Sequence, residues 1–258
     1  MLLEIAQLPR ATFYYHLKRS ENPDKYDSAK EEITAIYHEN KGRYGYRRIT
    51  LVLQNEYALT VNHKKVKRIM KKEGLFSPVR RSKYRSYKGQ VGHIAPNIIS
   101  RDFTAEAPNL KWTTDVTQIT INSEKLFLSP ILDVYNGEII SYNISRTPNL
   151  EQIYDMLDKA FMRFKDLRGL ILHSDQGWQY QHYSYRQRLS ERGISQSMSR
   201  KGNCLDNAVM ENFFGIMKSE LLYLQEFSNM EVFKRELRKY INYYNNDRIK
   251  LKLNGKSP

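Results

Sequence analysis

The sequence holds a single cysteine, Cys204, among 258 residues. One thiol excludes a disulfide-stapled secreted fold and a cysteine-built zinc site. Long apolar runs are missing as well. No stretch approaches the roughly 20 residues that a bilayer span needs, and residues 1–10 pass straight into polar sequence rather than forming a signal peptide. Internal repeats and low-complexity tracts are lacking. Acids are in deficit, 28 against 42 Lys and Arg, for a formal charge of +14. What is there is 40% hydrophobic residues, enough for a packed core, in a length that suits one larger domain or two smaller ones. The expectation is a cytoplasmic protein with no membrane partner. The positive excess points to a polyanion. DNA, RNA and an anionic membrane all fit at that level, and the electrostatic footprint favours nucleic acid.

The charge is unevenly placed. Residues 41–88 carry fifteen Lys and Arg, opposed only by Glu56 and Glu73. Four regions follow from this and from periodicity. Residues 1–20 read as two short helical pieces broken at Pro9, a partial helix-turn-helix. Residues 28–76 read as a compact helical DNA-binding domain. Its apolar stripes are Ile33, Ile36 and Tyr37, then Ile49, Val52 and Leu53, then Val66, Ile69 and Met70, with Gly74 as a stop. Arg47, Arg48, Lys64, Lys65, Lys67 and Arg68 fall on the outer faces and are candidate DNA contacts. Residues 77–107 have no period, and Arg80 and Arg81 alternate with tyrosines in a basic linker suited to phosphate contact and stacking. From residue 108 the pattern turns to strands. Residues 112–121, 126–135 and 138–144 read as three antiparallel strands, the last two joined by Asn136-Gly137, a strong hairpin signal. A helix, a short apolar strand ending at His173-Ser174-Asp175, a helix, another short strand and two helices complete an α/β order with a mixed sheet.

Phosphoryl transfer on DNA needs a sharpened nucleophile and neutralised phosphate charge. Two divalent cations about 4 Å apart supply both, and hard cations want oxygen ligands. The search is therefore for carboxylates where polar side chains are unexpected. Asp115 lies within a strand, Asp175 ends one, and Glu211 stands in an apolar helical stretch. Asn207, Glu211 and Lys218, at offsets of four and seven, share nearly one helix face. Lys218 then lies roughly 10 Å from Glu211 at ~1.5 Å per residue, within reach of a DNA phosphate. Each residue has a plainer reading. Asp115 fits an edge position, Asp175 before Gln-Gly fits a turn, and Glu211 with Lys218 fits a solvated face. Asp206 reads as an N-cap, Asp133 as a hairpin residue, and His173 as a DNA contact, a residue behind the site or a packed strand end.

A resemblance decides among these. With 35 residues between Asp175 and Glu211, the three acids resemble the D,D(35)E pattern of retroviral integrases and insertion-sequence transposases. The flanking words agree: Trp112-Thr-Thr-Asp115-Val-Thr, His173-Ser-Asp175-Gln-Gly177, Ser199-Arg-Lys-Gly-Asn203-Cys-Leu-Asp-Asn-Ala208, Glu211-Asn-Phe-Phe and Tyr243-Tyr-Asn-Asn-Asp-Arg248. Tyr44-Gly-Tyr-Arg-Arg-Ile49 is similar to the helical DNA-binding region of the same group. The chain closely resembles OrfB-type transposases of the insertion-sequence family three over nearly its whole length. The resemblance implies a ribonuclease-H-like core at residues 108–258 and dependence on two Mg²⁺ or Mn²⁺ ions held by Asp115, Asp175 and Glu211. It also implies a basic residue at Lys218, and DNA cleavage and strand transfer without a covalent enzyme–DNA intermediate. The partners implied are transposon ends and target DNA, further copies of the chain, and the product of an upstream reading frame, in a bacterial, nucleoid-associated setting. Beside that family, the chain opens at Met1-Leu-Leu-Glu-Ile within the helix-turn-helix and stops at Ser257-Pro258 before the usual terminus. End recognition is accordingly expected to need the upstream product. A DNA binder without catalysis and a structure-selective nuclease are the rival readings, separated by metal dependence and by strand-transfer products.

Overall fold

The computed structural model describes residues 9–20, 27–78 and 93–258. Arg80 and Arg81 and the first eight residues lie outside them, as does the middle of the expected linker. The chain divides into two compact units, Met1–Ser77 and Pro78–Pro258.

In the first unit α1 is Arg10–Ser20, α2 Asp27–Glu39, α3 Tyr46–Glu56 and α4 His63–Lys72. The expected stripes form the core: Ile33, Ile36, Ile49, Val52, Leu53, Val66, Ile69 and Met70 are buried, joined by Tyr44. The Asn62 side chain accepts the Lys64 N–H at 2.9 Å and so caps α4. The helix stops before Gly74, whose φ of 67° suits glycine. This leaves Lys64, Lys67 and Arg68 exposed on the opposite face.

The second unit carries β1 Lys111–Thr114, β2 Thr117–Ile121, β3 Glu124–Asp133, β4 Ile139–Ser145, α5 Leu150–Arg163, β5 Ile171–Ser174, α6 Trp178–Gln181, α7 Tyr183–Ser190 and β6 Ser195–Met198. A 3₁₀ turn Cys204–Asn207, α8 Ala208–Met217, a π turn Lys218–Leu222, α9 Met230–Asn246 and a 3₁₀ turn Leu251–Leu253 complete it. β3 pairs antiparallel with β4 on one edge, and with β1 and β2 in turn on the other. β1 continues the sheet into parallel β5 and β6. This mixed sheet with helices on both faces is the ribonuclease-H-like arrangement expected. One apolar layer joins β2, β3 and β4 to α8 and α9 through Leu128, Met210, Phe213, Phe233 and Leu237. The other joins the sheet to α5, α6 and α7 through Trp112, Leu157, Leu172, Tyr180 and Tyr185.

Two differences from the sequence reading matter for the site. The single strand expected over 112–121 is broken at Asp115 and Val116. β1 and β2 keep one register against β3, Thr114 opposite Ile131 and Thr117 opposite Leu128, so Asp115 faces Pro130. The carbonyl of Tyr142, paired with Pro130 from β4, turns outward to accept from Lys159. The polar edge of Pro130 therefore faces β1, where its carbonyl accepts from Thr114 Oγ1 at 2.9 Å. Proline has no N–H to give, and the ladder lapses beside Asp115. The second difference lies in residues 95–101, expected within the linker. Ala95 and Ile99 are buried, and Pro96 accepts the Met198 N–H, so this stretch covers the edge of β6.

Candidate active site and nucleic-acid face

β1 and β5 run parallel and adjacent, so their carboxyl ends deliver Asp115 and Asp175 to the same edge. Asp175 Oδ1 accepts the Gly177 N–H at 2.9 Å, a tight turn into α6. A Cβ on Gly177 would lie 2.9 Å from that same oxygen and 2.9 Å from Gln179 Nε2, so any larger residue pushes those side-chain ends aside. Asp115 Oδ1 accepts the Val116 N–H at 2.7 Å, and Oδ2 accepts Asn207 Nδ2 at 2.9 Å. Burial, then the charge of Asp175, pushes the Asp115 carboxyl well above the ordinary carboxylate range, and the charge of Glu211 adds to this. Burial raises Asp175 too, against the Gly177 hydrogen bond.

The structure brings the two sheet aspartates together and places Glu211 within electrostatic reach, exposed in the first turn of α8. Among the described residues, no three His, Cys, Asp or Glu side chains gather as a metal-holding group. Lys218 is half-buried where the helix widens into its π turn. Burial lowers its ammonium pKa, and the Asp115 charge opposes that shift. Asn207, expected to meet DNA, is 5% exposed and points its amide at Asp115 instead, because the 3₁₀ turn before α8 swings it inward. Its Oδ1 is buried without a hydrogen-bond partner.

Asp206 is not the helix cap expected of it. Its carboxylate is buried under Arg200, Arg101 and Asn97, and the bonds from Arg200 hold it below the ordinary range. His173 is a packed strand residue, fully buried. Its Nε2 lies 2.8 Å from the Asp206 carbonyl and its Nδ1 2.8 Å from Ser197 Oγ. A carbonyl only accepts, so Nε2 carries the proton and Nδ1 accepts from the serine. Asp133 accepts from Asn109, Trp112 and Tyr135, the structural role expected of it. Sequence reasoning missed Tyr180. It is buried beneath the pair, 3.4 Å from the Thr114 hydroxyl, and burial together with the charges of Asp115 and Asp175 raises its phenol. The strand-like alternation of Trp178 and Tyr180 was its only trace.

In the first unit the candidate cations meet around tyrosines. Arg47 and Lys67 lie 5.7 and 5.5 Å from the Tyr46 ring centre, and His63 stacks on that ring at 6.1 Å. Arg48 lies over Tyr44 at 5.4 Å, and Lys65 is half-buried.

The integrase core domain family matches residues 105–204 and, in a second form, 211–258, and the HTH-like domain family matches residues 25–83. Transposase InsK of insertion sequence element IS150, from Escherichia coli (strain K12), is 53% identical over 257 residues, covering 100% of this chain and 90% of that protein. The chain belongs to the insertion-sequence transposases of family three. Transposase InsF of insertion sequence IS3A, from the same organism, is 31% identical over 216 residues, spanning 81% of this chain and 73% of its own. Among solved structures, the integrase catalytic core domain of HTLV-2 in complex with magnesium overlays with a TM-score of 0.47 at 19% identity, covering 58% of this chain and 95% of that one. This transposase is a polynucleotidyl transferase that cleaves DNA strands and transfers them to new positions. No helix among its described residues is long and apolar enough to cross a membrane.

Proposed function

We propose that the transposase works through Asp115, Asp175 and Glu211 with two divalent cations, Mg²⁺ or Mn²⁺. The observation that supports this most is the Asp115–Asp175 pair. Two carboxylates are held at one sheet edge, each driven up in pKa, and the pair repels itself. Such a pair fits a hard cation, whose charge relieves the repulsion, and the buried orphan Oδ1 of Asn207 adds an oxygen donor beside it. When bound, the two cations supply a sharpened water or 3′-hydroxyl and offset charge on the phosphate.

The chain's own groups do the rest. Asp115, Asp175 and Glu211 would hold the cations, Glu211 brought in by a movement of the α8 turn. Lys218 meets a DNA phosphate beside the scissile one. Hydrolysis breaks the P–O3′ bond at the element's end, freeing a 3′-OH and leaving a 5′-phosphate on the flanking strand; that hydroxyl then attacks a target phosphate in line and displaces the target strand's own 3′-oxygen, which leaves as a 3′-OH. The basic face of α3 and α4, including Arg47, Lys64, Lys67 and Arg68, grips the duplex backbone, and Arg80 and Arg81 are further proposed phosphate contacts. Pairing of two ends takes at least two copies of the chain, and the upstream-frame product supplies end recognition.

A plasmid carrying the DNA that flanks the gene tests the enzymatic reading. Nicked and strand-transfer products are expected in Mg²⁺ or Mn²⁺ and none in EDTA, while a binder without catalysis yields no product at any metal concentration. A nuclease gives nicks without joined products. Gly177→Ala should keep the fold, because its neighbours are side-chain ends, yet turn the Asp175 carboxylate aside. Misplacement of that order slows single-turnover cleavage by roughly 10- to 100-fold. Unchanged cleavage with an unshifted melting temperature would show that Asp175 does not need its present orientation.

A further inference from the structure

Asp206 stands outside the proposed trio, yet one residue links all three of its elements. Its buried carboxylate takes Arg101 Nε at 2.9 Å, Arg200 Nε at 2.8 Å, the Arg200 N–H at 3.0 Å and Asn97 Nδ2 at 3.0 Å. Those partners belong to the stretch that covers β6 and to the loop after β6. Its backbone carbonyl receives the His173 Nε2–H, two residues before Asp175 on β5. Ser197, which feeds the other nitrogen of that ring, itself accepts the Ile98 N–H at 3.0 Å. The next residue, Asn207, reaches Asp115, and α8 with Glu211 starts immediately after.

We propose that Asp206 is a positioning residue for strand cleavage: its grip on Arg200, Arg101 and Asn97 fixes the turn that sets Asn207 on Asp115 and anchors the start of α8, the pivot from which Glu211 swings toward the sheet aspartates. The inference rests on the reading of those three acids as the catalytic set. A surface ion pair would contribute little here. This carboxylate has no exposed side-chain surface and accepts from two arginines and an asparagine, so its loss frees the whole turn. Glu211 lies beyond that turn, so its swing toward the other two acids starts from a fixed base.

The test compares Asp206→Ala and Asp206→Asn with Leu157→Ala, a cavity variant in α5 on the other face of the sheet, and with Asp115→Asn. Cleavage of the flanking-DNA plasmid is followed at single turnover across a Mg²⁺ titration. DNA affinity is read in Ca²⁺, and melting temperature for each variant. Asp206→Ala should slow cleavage roughly 100-fold and raise the Mg²⁺ needed for half-maximal rate several-fold, with DNA affinity within about twofold. Asp206→Asn, which keeps the shape and one good acceptor, should recover part of the rate. The inference is overturned if Asp206→Ala slows cleavage no more than Leu157→Ala does, melting points taken into account, or leaves the Mg²⁺ midpoint in place. Cleavage by Asp115→Asn would instead overturn the catalytic assignment itself, independently of Asp206.

Discussion

Replacing Asp115 by Asn should lower DNA cleavage and strand transfer by roughly a thousandfold or more, about 4 kcal/mol of transition-state stabilisation at 1.36 kcal/mol per decade. The size follows from its proposed place: a buried carboxylate beside Asp175 that would hold the cations. The fold should survive. Asn at this position still accepts the Val116 N–H, and Asn207 can turn its amide so that the unpartnered Oδ1 accepts from the new side chain. Removing one of two repelling carboxylates also relieves the pair. The variant should therefore melt no lower than the parent protein in metal-free buffer and bind DNA as tightly. Gel assays of plasmid products, fluorescence anisotropy and a thermal melt read the three quantities. Full activity in this variant would remove Asp115 from the chemistry.

The largest loss of stability is expected at Arg248. Its guanidinium is buried and bonds Glu220 through Nε at 2.8 Å and Nη2 at 2.7 Å, and the Tyr240 hydroxyl donates to the same carboxylate at 3.1 Å. Both side chains are under one-tenth exposed. Arg248→Ala strands the glutamate in an apolar layer, a change worth roughly 3–5 kcal/mol, or about 10 °C in melting temperature for a unit of this size. Replacing both partners, as Glu220→Leu with Arg248→Met, should recover much of the loss, because no charge is then left buried alone. Calorimetry on the two variants and the parent protein settles it. A loss under about 1 kcal/mol for Arg248→Ala would mean that solvent reaches Glu220.

Local rules were enough for much of this molecule. Val66, Ile69 and Met70 repeat at helical spacing, so the inner face of α4 could be read directly. Asn136-Gly137 marked the β3–β4 turn, where Gly137 takes φ 76°. The acids stood out as polar residues inside apolar patterns, and the resemblance of their spacing and flanking words to a known family made them the candidate site. What stayed hidden depends on partners distant in the chain. Asp206 looks like a cap because an aspartate before a helix usually is one. Only folding brings Asn97 and Arg101, more than a hundred residues earlier, onto its oxygens. Asn207 looked like a surface residue on an ideal helix, but the helix proper starts one residue later and a 3₁₀ turn rotates the amide inward. The π turn at Lys218–Leu222 carries no local signature at all.

Pro130 gives the sheet a missing rung beside Asp115, the strand residue proposed for the chemistry. A fully zipped ladder would tie the Asp115 backbone to its neighbour, and any shift of the carboxylate toward incoming DNA would have to break that tie. With no amide proton opposite, a shift of the aspartate breaks no rung, while the pairs on either side of the gap stay closed. The floor of the proposed active site thus has built-in play between two paired stretches of the sheet.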